Sequence, residues 1–185
     1  RIDVSGGREV SRELTVAEIW PEYVLGVDIG KAQDFTAIAV LDRSKVTFNA
    51  VNAATWERVS ETRTRLVALE RVALATTYPD IVMRIEQVVN TLKATMRGVH
   101  AAAPVVTLVV DATGVGGPVV DMLRAARLQC SLVPVQITGG MSETRSGAGW
   151  HVPKRDLLVG VQTTLQQKIL QIAQGLPLRH ELMRE

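Results

Sequence analysis

The sequence contains one cysteine, Cys130, so no disulfide can form within the chain, and the usage suits a reducing cytosol. No Cys/His pattern with zinc spacing is present, and His100, His151 and His180 show no metal spacing among themselves. No run approaches 18 consecutive apolar residues, which leaves no candidate for a membrane-crossing helix. No charged-then-apolar signal segment opens the chain. No Gly-x-x-x-x-Gly-Lys-[Ser/Thr] loop occurs, which excludes a P-loop ATPase. Internal repeats and low-complexity tracts are absent. Charge is nearly balanced, at +2 with a pI near 8.9, too weak a bias to identify a nucleic-acid binder.

The 185 residues are 46% hydrophobic and 22% charged, ordinary for a globular domain with a sizeable core. The first residue is Arg1, so the chain reads as a piece of a longer protein. Residues 1–20 are polar and irregular and read as a linker or an arm from a preceding domain, and 21–185 read as one domain. Arg58, Arg63, Arg65 and Arg71 cluster, as do Arg145, Lys154 and Arg155. Solvated surface is the plain reading of both groups.

Tyr23 to Gly30 and Phe35 to Leu41 read as two apolar strands joined by a turn at Lys31-Ala32-Gln33-Asp34. Residues 42–64 carry no clear pattern, and Leu66 to Ala75 reads as a third strand. Pro79 opens a helix with its stripe at Ile81, Ile85, Val88, Leu92 and Met96, and Gly98 suits its end. Val105 to Val110 reads as a buried strand, Pro118 opens a second helix, and Leu132 to Ile137 forms a further strand ended by Gly139-Gly140. Pro153 opens a last helix whose stripe, Leu158, Val161, Leu165, Ile169 and Ile172, predicts packing on the core. Three hairpin-linked strands followed by β-α alternation predict an α/β fold with a mixed sheet flanked by helices, the element order of the ribonuclease H-like fold.

Two aspartates stand out. Asp28 lies in an otherwise apolar strand, on the side shared with the small residues Gly26 and Gly30. A carboxylate there needs a partner, hydrogen bonds or a cation. Asp111 ends the strand Val105–Asp111 and precedes the glycine-rich turn Ala112-Thr113-Gly114-Val115-Gly116-Gly117. Ligand sites of α/β sheets lie at such carboxyl ends. Local turn bonding and helix capping are the structural alternatives for both residues. If the first and fourth strands are neighbours, the two carboxylates face each other, and a divalent cation relieves their repulsion. All-oxygen ligands suit Mg²⁺ or Mn²⁺. Two such ions, about 3.5–4 Å apart, suit phosphodiester hydrolysis.

Gly26-Val27-Asp28-Ile29-Gly30 followed by Asp34-Phe35-Thr36-Ala37 resembles the opening of the nuclease domain of phage or prophage terminase large subunits. Asp111-Ala112-Thr113-Gly114-Val115-Gly116 resembles that family's second acidic motif, and Val152-Pro153-Lys154-Arg155-Asp156-Leu157 is similar to a segment of phage terminases. The resemblance covers residues 22–185. It implies a ribonuclease H-like fold, two divalent metals, and endonucleolytic cutting of double-stranded viral DNA during genome packaging. It further implies the other terminase subunit and the portal protein as partners, and the cytoplasm of a bacterial host as location. The packaging ATPase is not in this chain. Asp28 and Asp111 match the family's first two metal-binding carboxylates, Asp34 an acidic position that follows the first, and Lys154 a residue of the third segment. The family's third metal-binding aspartate usually lies further downstream. Asp156 is the nearest substitute here, although it points away from its helix's stripe and a first-turn carboxylate also suits the helix dipole. The domain is therefore expected to be truncated at its C-terminus.

Two alternatives share this strand order. One is another ribonuclease H-like nuclease, such as a junction resolvase. The other is half of an actin-like or sugar-kinase-like ATPase, which needs a second similar half and a more glycine-rich first turn. A non-catalytic interaction module is the third possibility.

Overall fold

The computed structural model describes residues 15–30, 34–95, 103–114, 116–147, 149–182 and 184. Lys31, Ala32, Gln33, Met96, Gly98, His100 and Val115, named above, lie outside the described residues, as do residues 1–14 of the expected arm.

Eleven strands and four helices follow one another among the described residues: β1 (Val16–Trp20), β2 (Glu22–Asp28), β3 (Ala37–Asp42), β4 (Lys45–Val51), β5 (Arg58–Thr62), β6 (Thr64–Arg71), α1 (Tyr78–Ala94), β7 (Val105–Asp111), α2 (Gly116–Ala126), β8 (Ser131–Thr138), β9 (Thr144–Ser146), β10 (Gly149–Pro153), α3 (Lys154–Gln166), β11 (Leu170–Ile172) and α4 (Arg179–Leu182). The main sheet has eight strands in the order β11-β6-β3-β2-β7-β8-β10-β9. β6, β3 and β2 pair antiparallel, whereas β2, β7, β8 and β10 run parallel. The sheet is thus mixed, and its central strands β6-β3-β2-β7-β8 have the ribonuclease H-like order.

Alternation along β2 and β7 divides the sheet into two faces. Tyr23, Leu25 and Val27 of β2 and Val106, Leu108 and Val110 of β7 are buried on one of them. There they meet Ile81, Ile85 and Val89 of α1 and Val119 and Leu123 of α2. Thr77 caps α1 by accepting the amide hydrogen of Asp80, and proline occupies the first turn, where its missing N–H costs nothing. The stripe read from the sequence is turned slightly: Val82 and Val89 are buried, while Val88 and Leu92 pack at the core's margin.

Three expectations are corrected. Val16–Trp20, read as part of an irregular arm, form β1 and pair with β4. Residues 42–64, which carried no clear pattern, form the antiparallel hairpin β4–β5, which with β1 makes a separate three-stranded sheet. At its junction with the main sheet Asp42 is 1% exposed, accepts the Ser44 amide and pairs with Arg65 at 2.7 Å. The stripe of the last helix does not enter the core. No residue of α3 is buried, and Leu158, Val161 and Leu165 are 61%, 53% and 43% exposed. Ile169 and Ile172 fall beyond the end of α3, Ile172 in β11. The buried face is already filled by α1 and α2, so an apolar stripe alone did not give α3 a surface to bury against. No helix among the described residues is long and apolar enough to cross a membrane.

Candidate metal centre

β2 and β7 pair in parallel register up to Val27–Val110, so the next residue on each strand is an aspartate: Asp28 beside Asp111. Both belong to the face opposite the buried one. Neighbouring strands lie about 4.8 Å apart, and paired residues point to the same side. The two carboxylates are therefore adjacent at the carboxyl ends of two parallel strands.

Asp28 is the last residue of β2 and is exposed, so it does not sit in an apolar interior as the sequence pattern alone implied. Its pKa is nonetheless raised above the ordinary 3.8. Partial loss of hydration at the strand end is the largest cause, and the negative charges of Asp111 and Asp34 add to it. A cation between the carboxylates reverses the sign of that environment.

Two threonines fix the surrounding turns. Thr113 donates its amide hydrogen to Oδ1 of Asp111 at 2.8 Å, and its own hydroxyl oxygen accepts the amide of Ile137 on β8 at 2.9 Å. Ala112 adds a bond to the carbonyl of Val135 at 2.7 Å. The turn chemistry that competed with a ligand role is thus present, and one oxygen of a carboxylate satisfies it while the other stays available. After β2, the amide of Gly30 donates to the Thr36 hydroxyl at 3.1 Å, and Val72 bonds the Thr36 carbonyl. A Cβ on Gly30 would collide with the carbonyl of Asp34, and one on Gly116 with that of Asp111. Glycine at both positions lets the backbone close up around the acidic pair. Thr36 and Thr113 were not singled out from the sequence. Threonine two residues after a strand-ending aspartate is the one local signal for Thr113.

Asp34 is exposed and lines a neighbouring cleft of about 290 Å³ that runs to the start of α1. Asp156 and Lys154 lie in the first turn of α3. Since β10 is parallel to β8 and β8 to β7, this turn follows the same end of the sheet as Asp111. Asp156 accepts a bond from its neighbour Arg155 at 3.1 Å. Among the described residues no group of three or more His, Cys, Asp or Glu stands close enough to hold a metal ion. The structure therefore brings Asp28 and Asp111 together with Asp34 nearby, and does not gather Asp156 into the same cluster. His151 approaches the Ser146 hydroxyl at 3.3 Å, and Glu86 is solvated.

The row through the acidic pair runs across most of the sheet. Asp28 pairs with Ala37 and Ala37 with Arg71 on one side. Asp111 pairs with Val135, Val135 with Trp150 and Trp150 with Arg145 on the other.

No protein-family profile matches the sequence, and no curated protein matches it. Among solved structures, the chain is similar to the human cytomegalovirus terminase nuclease domain, soaked with manganese and bound to an inhibitor. The TM-score is 0.45 at 10% identity, over 83% of this chain and 64% of that one. The present chain thus spans less than two thirds of that domain.

Proposed function

We propose that this chain is a divalent-metal-dependent nuclease, and that its substrate is double-stranded viral DNA cut during genome packaging. One observation carries the reading: Asp28 and Asp111 end adjacent parallel strands, side by side on the open face of the sheet. The donor set fits Mg²⁺ or Mn²⁺, being hard carboxylate oxygen, open to solvent and mutually repelling without a cation. When bound, such ions lower the pKa of a water and neutralise charge on the leaving oxygen of a phosphodiester. Asp28 and Asp111 would hold them. The Thr113 amide orients Asp111, and Asp34 adds negative charge beside Asp28. Asp156 is the candidate third carboxylate and Lys154 a candidate phosphate contact. The packaging role, with the other terminase subunit and the portal protein as partners, rests on the sequence motifs around Asp28, Asp111 and Lys154.

The test is cleavage of plasmid DNA with Mg²⁺ or Mn²⁺ and no ATP. Wild type is expected to nick or cut. Asp28→Asn keeps the side chain's size, removes its charge and is expected to abolish activity. Asp111→Asn is expected to do nearly the same, since residues acting as one unit do not add. Asp156→Asn is expected to lose as much activity as the other two only if Asp156 is a ligand. Undiminished metal-dependent cleavage by Asp28→Asn removes Asp28 from the metal centre, and absence of cleavage by wild type with either metal overturns the nuclease reading.

A further inference from the structure

The row that contains the acidic pair carries an arginine stacked on an aromatic ring on each side of it. On one side Arg71 lies over Phe35, with its guanidinium carbon 5.1 Å from the ring centre. On the other Arg145 lies over Trp150 at 5.5 Å. Register places Arg71 two strands from Asp28, and Trp150 two strands from Asp111 with Arg145 next to it. At about 4.8 Å per strand, the backbone of Arg71 is roughly 10 Å from that of Asp28, and the backbone of Arg145, three strands away, roughly 14 Å from that of Asp111. Both arginines are exposed, and neither has a carboxylate partner among the described residues. Arg63, Arg65, Arg84 and Arg155, by contrast, are paired with Glu61, Asp42, Glu70 and Asp156.

An arginine held over a ring by cation–π attraction can still offer N–H donors to an anion, and loses less freedom when they are engaged. Two such groups, exposed and flanking a pair of carboxylates, are placed to engage an anion that spans the row. A nucleic-acid backbone offers one phosphate for roughly every 3.4 Å of duplex axis along each strand, enough to reach both arginines with a phosphate between them at the acidic pair. We propose that Arg71 and Arg145 are positioning residues that grip backbone phosphates on either side of the scissile one, so that the bound strand runs along this row, across the β-strands. Phe35 and Trp150 hold the two guanidinium groups in place. The inference rests on the nuclease reading and adds the direction and the two anchor points of the substrate.

The salt dependence of DNA binding tests it. Binding of a short labelled duplex is measured in chelator over a KCl series for wild type, Arg71→Ala, Arg145→Ala and the double variant. Each lost phosphate contact is expected to reduce the slope of log K against log[salt] by about 0.9, and the double variant by about 1.8. Arg→Lys at either position is expected to keep the slope, because the charge remains, which a purely structural role does not predict. Cleavage by the double variant is expected to show a raised KM. A double variant with the wild-type slope, in a protein that does cut DNA with metal, overturns the inference and leaves the nuclease reading intact. A wild-type protein that neither binds nor cuts DNA overturns both.

Discussion

Asp28 carries a charge that its surroundings oppose: hydration is partly lost, and Asp111 and Asp34 stand nearby with the same sign. A carboxylate whose folded pKa is raised binds more protons in the native state than in the unfolded chain. Stability therefore falls as pH rises from the ordinary 3.8 through the raised value, and the deficit persists at neutral pH. Replacing Asp28 by Asn removes this opposition. In a metal chelator at pH 7, Asp28→Asn is expected to melt at a higher temperature than wild type, and the gain is expected to vanish below the ordinary carboxylate pKa. Circular-dichroism melts across pH check this. A lower Tm for the Asn form at pH 7 would mean that Asp28 is a net stabilising group, held by contacts within the protein rather than awaiting a cation. Since a ligand must be deprotonated to bind an ion, metal affinity is expected to rise with pH over the same window.

At the level of elements, the two kinds of helix differ in what they bury. α1 places Ile85 and Val89 fully in the core, whereas α3 leaves Leu158 and Val161 more than half exposed. Ile85→Ala is expected to cost about 2–5 kcal/mol, and Leu158→Ala and Val161→Ala each about 0.5 kcal/mol or less, by denaturant titration. A loss of several kcal/mol at Leu158 would mean that α3 packs as its periodicity suggested. This contrast shows where the sequence is informative. The strict alternation of β2 and the apolar run of β7 mark strands and place an aspartate at the end of each. An apolar stripe at helical spacing marks α1 and α3 alike, because periodicity reports which face of a helix can be buried, not whether another surface is there to meet it. β1 is not legible because its partner β4 is distant in sequence, and β4 and β5 because their burial does not alternate: Val46, Thr47 and Phe48 are buried in succession and β5 is largely exposed. β9 and β10 are short, and the pairing of β10 with β8 depends on register that no local pattern encodes. The Arg145–Trp150 contact depends on the antiparallel pairing of β9 with β10, two strands too short to mark themselves by alternation, although both residues are plain in the sequence.

Across the whole molecule, the parallel register of β2 and β7 turns two distant motifs into one site. The strand order was legible from the succession of elements, and adjacency of Asp28 and Asp111 follows from it. The bonds that Thr36 and Thr113 accept from Val72 and Ile137 were not, since those donors lie far along the chain, just past the end of β6 and in β8. The central claim is that Asp28 and Asp111 together hold a divalent cation. Calorimetric titration of Mn²⁺ into wild type, Asp28→Asn and Asp111→Asn at neutral pH tests it most directly. The account predicts saturable binding by wild type and its loss in each variant. Binding of Mn²⁺ by both variants with the affinity and stoichiometry of wild type would contradict it.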